Sequence, residues 1–242
     1  MKVYLKFNKT DTVGYMCLLS WLDIFKDHEI ILVCDLFNVN TDPVPKFLKD
    51  TIDQHPQPIK LLNTDYSLSV PFNDTILDKR YQRAAAANLT CFKDNVDNPF
   101  FWLIDADDTM FLTRNFTPIK EKLKIAEEIV VNDNLDSLAL DFYRMQNGTW
   151  SFGICLVKQS LDFISIKDSL NEQDWNPKDT RCLDIWFDKL RRQNKLNLKS
   201  FVLDKTSFIH YVHKTKTLPY TLYEWSDNKL NGVPLPEDFI IL

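Results

Sequence analysis

Short apolar runs alternate with longer amphipathic stretches through the first hundred residues, the pattern of a parallel sheet covered by helices. Val3 to Phe7 reads as a strand. Thr12 to Phe25 then carries Val13, Met16, Cys17, Leu19, Leu22 and Phe25 at roughly helical spacing, behind a cap at Asp11 or Thr12. Ile30 to Cys34 is a continuous apolar strand ending on Asp35, Pro45 to Ile52 starts a second helix, and Ile59 to Leu62 is a third strand. Residues 63–77 break any period with Asn63, Asp65, Ser67, Pro71, Asn73 and Asp74 and predict an irregular connection. A helix over Asp78 to Asp94, centred on Ala84 to Ala87, leads into an apolar strand at Phe100.

Beyond Asp108 the alternation fades. Pro118 to Ile129 predicts a helix. Ser137 to Arg144 and Thr149 to Val157 predict two strands joined through Gln146-Asn147-Gly148, since Asn-Gly is a strong hairpin signal. A helix from Thr180 to Asn194 and short strands at Phe201 to Leu203 and Phe208 to Val212 follow, and the tail after Pro219 reads as an irregular strap. Right-handed crossovers in the first part would align the strand C-termini along one edge.

Composition narrows the setting. The 242 residues are 45% hydrophobic, enough to build a core without disulfides. Five widely spaced cysteines (Cys17, Cys34, Cys91, Cys155, Cys182), an odd number with no C-x-x-C, read as free thiols in a reducing compartment. A lysine interrupts the first apolar run, so neither a secretory signal nor a membrane span is expected, and the expected location is the cytoplasm. The Asn-x-Thr triplets then have no glycosylation role. A net charge of −5 with mixed signs argues against nucleic acid as partner. The basic stretch from Arg191 to Lys216 reads as a solvated helix end and loop, with peripheral attachment at the inner face of an anionic membrane as the functional alternative.

The chemistry concentrates in FFWLIDADDTMFL, Phe100 to Leu112. A strand apolar on both faces ends in Asp105, Asp107 and Asp108. Carboxylates so close together repel, which raises their pKa values unless a cation compensates, and hard oxygen ligands suit Mg²⁺ or Mn²⁺. One aspartate could instead cap the next helix, but a cap requires one such residue and three are present. Asp105-Ala-Asp107-Asp108-Thr109 fits two enzyme patterns literally. It matches the D-x-D-x-T of haloacid-dehalogenase-type phosphatases, where Asp105 would be the nucleophile. It equally resembles the D-x-D of GT-A-type glycosyltransferases, where both carboxylates grip the cation on a nucleotide-sugar diphosphate.

Position separates the two. The phosphatase motif normally closes the first strand of its domain and needs a second acidic motif downstream, whereas Gly148, Gly153 and Gly232 are not followed by Asp. The glycosyltransferase fold requires a nucleotide-binding half before the motif. The segment Asp78 to Leu112 is similar to the helix and strand that lead into D-x-D in that family. The resemblance implies a single GT-A-type, Rossmann-like α/β domain with a mixed, mainly parallel sheet flanked by helices and a smaller acceptor-side hairpin and helix region. Residues 1–112 would form the nucleotide-sugar half, 113–218 the acceptor half and 219–242 the strap.

It also implies roles. Asp105 and Asp107 would ligate Mn²⁺ or Mg²⁺, with His210 or His213 as a further ligand. On a strand His210 and Val212 share a side and His213 lies across from them, so one histidine would reach the metal. Lys216, six residues after His210, has the spacing of a phosphate-binding lysine in retaining members. Arg83 and Lys79 would contact sugar or phosphate, and Phe7, Asn8 and Asp35 would hold base and ribose at the strand ends. Trp150 to Gly153 would line the donor-sugar and acceptor pocket, although the family's asparagine before the hairpin glycine is replaced by Ser151-Phe152. Asp184 would be the general base of an inverting member. The expected partners are a nucleotide-diphosphate sugar donor and a glycan or lipid-linked acceptor, and a catalytically inactive glycan-binding domain is the third reading. Inversion or retention, and the oligomeric state, are not set by these motifs.

Overall fold

The computed structural model describes residues 1–8, 12–34, 37–68, 76–107, 109–111, 116–141, 153–159, 192–193, 195–202, 208–210, 229–230 and 233–234. The first half is β1 (Lys2–Phe7), α1 (Thr12–Ile24), β2 (Glu29–Cys34), α2 (Lys46–Gln54), β3 (Ile59–Asn63), α3 (Ile76–Asp94), β4 (Phe100–Asp105) and β5 (Thr109–Phe111). There follow α4 (Thr117–Asn132), β6 (Ser137–Asp141), β7 (Ile154–Lys158), β8 (Leu198–Val202), β9 (Phe208–His210), β10 (Lys229–Leu230) and β11 (Val233–Pro234). Within the connection read as irregular, Tyr66–Leu68 forms a single 3₁₀ turn. The helix expected over Thr180 to Asn194, residues 192–193 apart, and the Asn147-Gly148 turn lie outside the described residues.

Seven strands form one sheet in the order β3-β2-β1-β4-β7-β6-β8. β3, β2, β1 and β4 run parallel, β7 is antiparallel to both β4 and β6, and β8 is parallel to β6. Its parallel part is the one that the alternation predicts, the mixed, mainly parallel sheet as a whole is the one that the resemblance implies, and strands from residues 1–112 and 113–218 share it. β5 and β9 pair separately, as do β10 and β11 in the tail. The β6–β7 register, Ser137 opposite Val157 and Ala139 opposite Cys155, is symmetric about position 147, where the sequence places its turn.

Both faces of β1, β2 and β4 are covered, which is why these strands are almost wholly apolar, Lys6 being the exception inside β1. On one face Val3, Leu5, Phe7, Ile30, Leu32, Trp102 and Ile104 pack with α1, α2 and α4. On the other Tyr4, Ile31, Val33, Phe101 and Leu103 pack with Ala87, Leu89, Cys91 and Phe92 of α3. α4 runs three residues past its expected end at Ile129. Asn134 takes the left-handed conformation (φ 47°), and the amides of Leu135 and Asn134 close on the Val130 and Val131 carbonyls, a stop that needs no glycine. Cys17, Cys34, Cys91 and Cys155 are buried, and burial pushes the Cys91 thiol up to about 12. No helix among the described residues is long and apolar enough to cross a membrane.

The end of α3 is tied to the sheet by Asp94, which accepts from the Tyr4 hydroxyl at 2.9 Å and from Lys60 Nζ at 2.7 Å. Burial pushes this carboxyl up, but Lys60 and Tyr4 outweigh it and hold it below its ordinary value. A depressed folded-state pKa adds stability above the unfolded value, and the gain is lost as pH falls through the folded one. Asp94→Asn is therefore expected to lower the urea midpoint near neutrality and to narrow its difference from wild type below about pH 4. Equal midpoints at neutral pH would show that the tie contributes nothing.

Candidate active site at the strand ends

β1 lies at the point where the strand order reverses. β2 and β3 are laid down on one side of it and β4 on the other. Ligands of open α/β sheets bind outside the carboxyl ends of the strands at such a switch point. Parallel register puts Lys6 opposite Asp105 and Phe7 opposite Cys34, with Cys34 opposite Asn63. The ends of β1 to β4 thus form one edge, and α1 starts just beyond it.

The acidic turn is fastened there by backbone bonds. The Asp105 amide donates to the Gly153 carbonyl at 2.6 Å and the Ala106 amide to the Lys6 carbonyl at 2.8 Å. The Asn8 amide donates to Asp107 Oδ2 at 2.8 Å. Asp107 is 9% exposed, so its carboxylate is set between the ends of β1 and β4 rather than dispersed in solvent. Asp105 has a different environment. Lys6, on the α3 face of β1, brings Nζ to 2.7 Å from Asp105 Oδ1 and to 2.7 Å from Asn88 Oδ1 of α3. Burial by itself pulls the lysine pKa down, and the Asp105 carboxylate more than offsets this, so Lys6 titrates above its ordinary value. The expected repulsion among the carboxylates is met in part by this built-in ammonium.

The other predicted residues fall as follows. Phe7 is corrected: its ring is fully buried in the α1-side core, because it shares strand parity with Val3 and Leu5, and it offers no side-chain contact to a ligand. Arg83 is exposed, with Nε 3.3 Å from the Tyr66 hydroxyl. It lies five residues before Asn88, about 7.5 Å along α3, where the helix has passed the strand ends. Lys79 lies one turn earlier, its side chain outside the described residues. His210 of β9 stands opposite Thr109 in the antiparallel β5–β9 pair. A residue a hundred positions away is thus brought next to the strand that follows Asp107. Asp35, Asp108, Trp150 to Phe152, Asp184, His213 and Lys216 lie outside the described residues.

No family model and no curated protein matches the chain. Among solved structures it is similar to the glycosyltransferase GlyE of Streptococcus pneumoniae TIGR4, with 11% identity and a TM-score of 0.45. The match covers 98% of this chain, which spans 65% of that protein's length.

Among the described residues no three His, Cys, Asp or Glu side chains gather as a ready metal set. Asp105 and Asp107 nevertheless supply the hard oxygen donors that Mg²⁺ or Mn²⁺ takes, and such ions commonly use one or two carboxylates and complete their shell with water and phosphate. Lys6, which meets Asp105 and Asn88 here, and Asn88 itself escaped the sequence reading, and Gly153, read there only as a pocket-lining residue, holds the Asp105 amide through its carbonyl. A signal for Lys6 was present, since a lysine within an apolar strand needs a buried partner.

Proposed function

We propose that this chain is a metal-dependent glycosyltransferase that moves a sugar from a nucleotide-diphosphate sugar to a hydroxyl of a glycan or lipid-linked acceptor, in surface polysaccharide or glycoconjugate synthesis. The observation that carries this reading is the fastening of Asp105 and Asp107 beside the end of β1, where the strand order reverses. Mn²⁺ or Mg²⁺ held by these carboxylates, with His210 or His213, would neutralise charge developing on the leaving diphosphate. The Asn8 amide fixes Asp107, and Asn8 with Asp35 would face base and ribose. Arg83 and Lys79 of α3 would contact sugar or phosphate, and Lys216 would contact the diphosphate. Asp184 would accept the proton of the attacking hydroxyl in an inverting reaction.

The test is a panel of nucleotide-diphosphate sugars incubated with the full chain and Mn²⁺ or Mg²⁺. Release of nucleoside diphosphate that stops on adding EDTA is the expected result. Hydrolysis of simple phosphate esters, with a phosphoryl group trapped on Asp105, would replace the reading by a phosphatase. Glycan binding without turnover of any donor would replace it by a binding module.

A further inference from the structure

Lys6 occupies a position that structure alone would not fill with a charge. Tyr4, Leu5 and Phe7 around it in β1 are fully buried, and Lys6 itself is 5% exposed. An ammonium at such a place is costly unless paired. Its two recorded acceptors come from different elements, Asp105 of β4 and the buried Asn88 of α3, each at 2.7 Å. The lysine is therefore fixed from two sides. Asp105, by contrast, is 38% exposed, so this carboxylate meets Lys6 on its inner side and solvent on its outer side, two residues before the more buried Asp107.

We infer that Lys6 is a positioning residue acting through Asp105: a built-in counter-cation that holds the first carboxylate of the pair in place and weakens the site for a bare divalent cation. The inference rests on the metal-dependent reading of Asp105 and Asp107. With Lys6 the three groups sum to one negative charge, and without it to two. An ammonium within a few Å of a dication opposes its binding, while the two carboxylates attract it. The diphosphate of a donor adds the negative charge that Lys6 has offset, so the cation is favoured in company with the diphosphate over the cation alone.

The experiment is a titration of the full chain with Mn²⁺ alone, followed by electron paramagnetic resonance, on wild type, Lys6→Met and Asp107→Asn. Lys6→Met keeps the length of the buried stem and removes the charge. It is expected to bind Mn²⁺ at least about tenfold more tightly than wild type and to show a larger rise in Tm on adding Mn²⁺. A purely structural lysine would lower Tm without tightening Mn²⁺ binding. If Lys6→Met does not fold, Lys6→Gln, which can still hydrogen-bond Asp105, carries the same expectation. Mn²⁺ binding that is lost in Asp107→Asn but unchanged or weaker without Lys6 overturns the inference alone. Binding unaffected by Asp107→Asn, or absent from both wild type and the Lys6 variants, overturns the metal site and the inference with it.

Discussion

Asp107→Ala is expected to reduce sugar transfer by about 100-fold or more while leaving a folded protein. Charge stabilisation by a held cation is worth several kcal/mol in a transfer reaction, and each 1.36 kcal/mol is a factor of about ten in rate. The same substitution removes the acceptor of the Asn8 amide, a loss of about 1 kcal/mol of stability. The two effects separate with Asp107→Asn. Its amide oxygen can still take the Asn8 N–H, so the turn stays tied to β1, while the charge is gone. Transfer should fall nearly as far in Asp107→Asn as in Asp107→Ala, with less loss of Tm. Wild-type transfer in Asp107→Asn would mean that this carboxylate serves only to fasten the turn.

The central sheet was legible because its strands are short apolar runs between helical stretches, and β1 to β4 fall within a residue or so of their expected places. What could not be read was which strands become neighbours. β1 and β4 are about a hundred residues apart, and only their pairing reveals that Lys6 and Asp105 share a register position and a face. A charged residue in a buried strand announces that a partner exists without naming it. Strand parity was available and would have separated Phe7 from the site, since Val3, Leu5 and Phe7 face one way and Tyr4 and Lys6 the other. The place of Phe7 at a strand end obscured this.

The acidic turn was legible for a related reason: a strand apolar on both faces has no use for carboxylates at its end unless the chain emerges at a polar edge. His210 was less so. Its spacing to Lys216 suggested a role by resemblance, but nothing local in Phe208 to His210 indicates a pairing with Thr109 to Phe111, because antiparallel partners that far apart leave no periodic trace. Asn88 was hidden by its setting among Ala84 to Ala87, where helix propensity gives no hint that one polar side chain turns inward to a lysine.

Trp102→Ala is expected to destabilise the protein by about 3–5 kcal/mol, the range for truncating a fully buried large aromatic. Trp102 is wholly buried in the middle of β4, its ring 5.8 Å from that of Phe25 of the segment ending α1. Its Nε1–H donates to Glu127 Oε1 of α4 at 2.9 Å, and Glu127 also lies 3.6 Å from His28 Nε2. Burial pushes the Glu127 carboxyl up, and the bonds from His28 and Trp102 outweigh it and leave it below its ordinary value. Trp102→Phe retains most of the packing and removes the donor. Its cost should be about 1–3 kcal/mol at neutral pH, from the polar partner left behind. That cost should shrink as pH falls through the range where Glu127 takes up its proton, because the ionised form is the one the indole N–H stabilises. Urea denaturation at neutral and acid pH checks both variants; a loss under 1 kcal/mol in Trp102→Ala would show that β4 is not the centre of this core. Trp102 faces α1 and α4, while Asp105 and Lys6 face α3. Trp102→Phe should therefore lower stability and leave Mn²⁺ binding dependent on Asp107 as in wild type, separating what holds β4 in the sheet from what its end does.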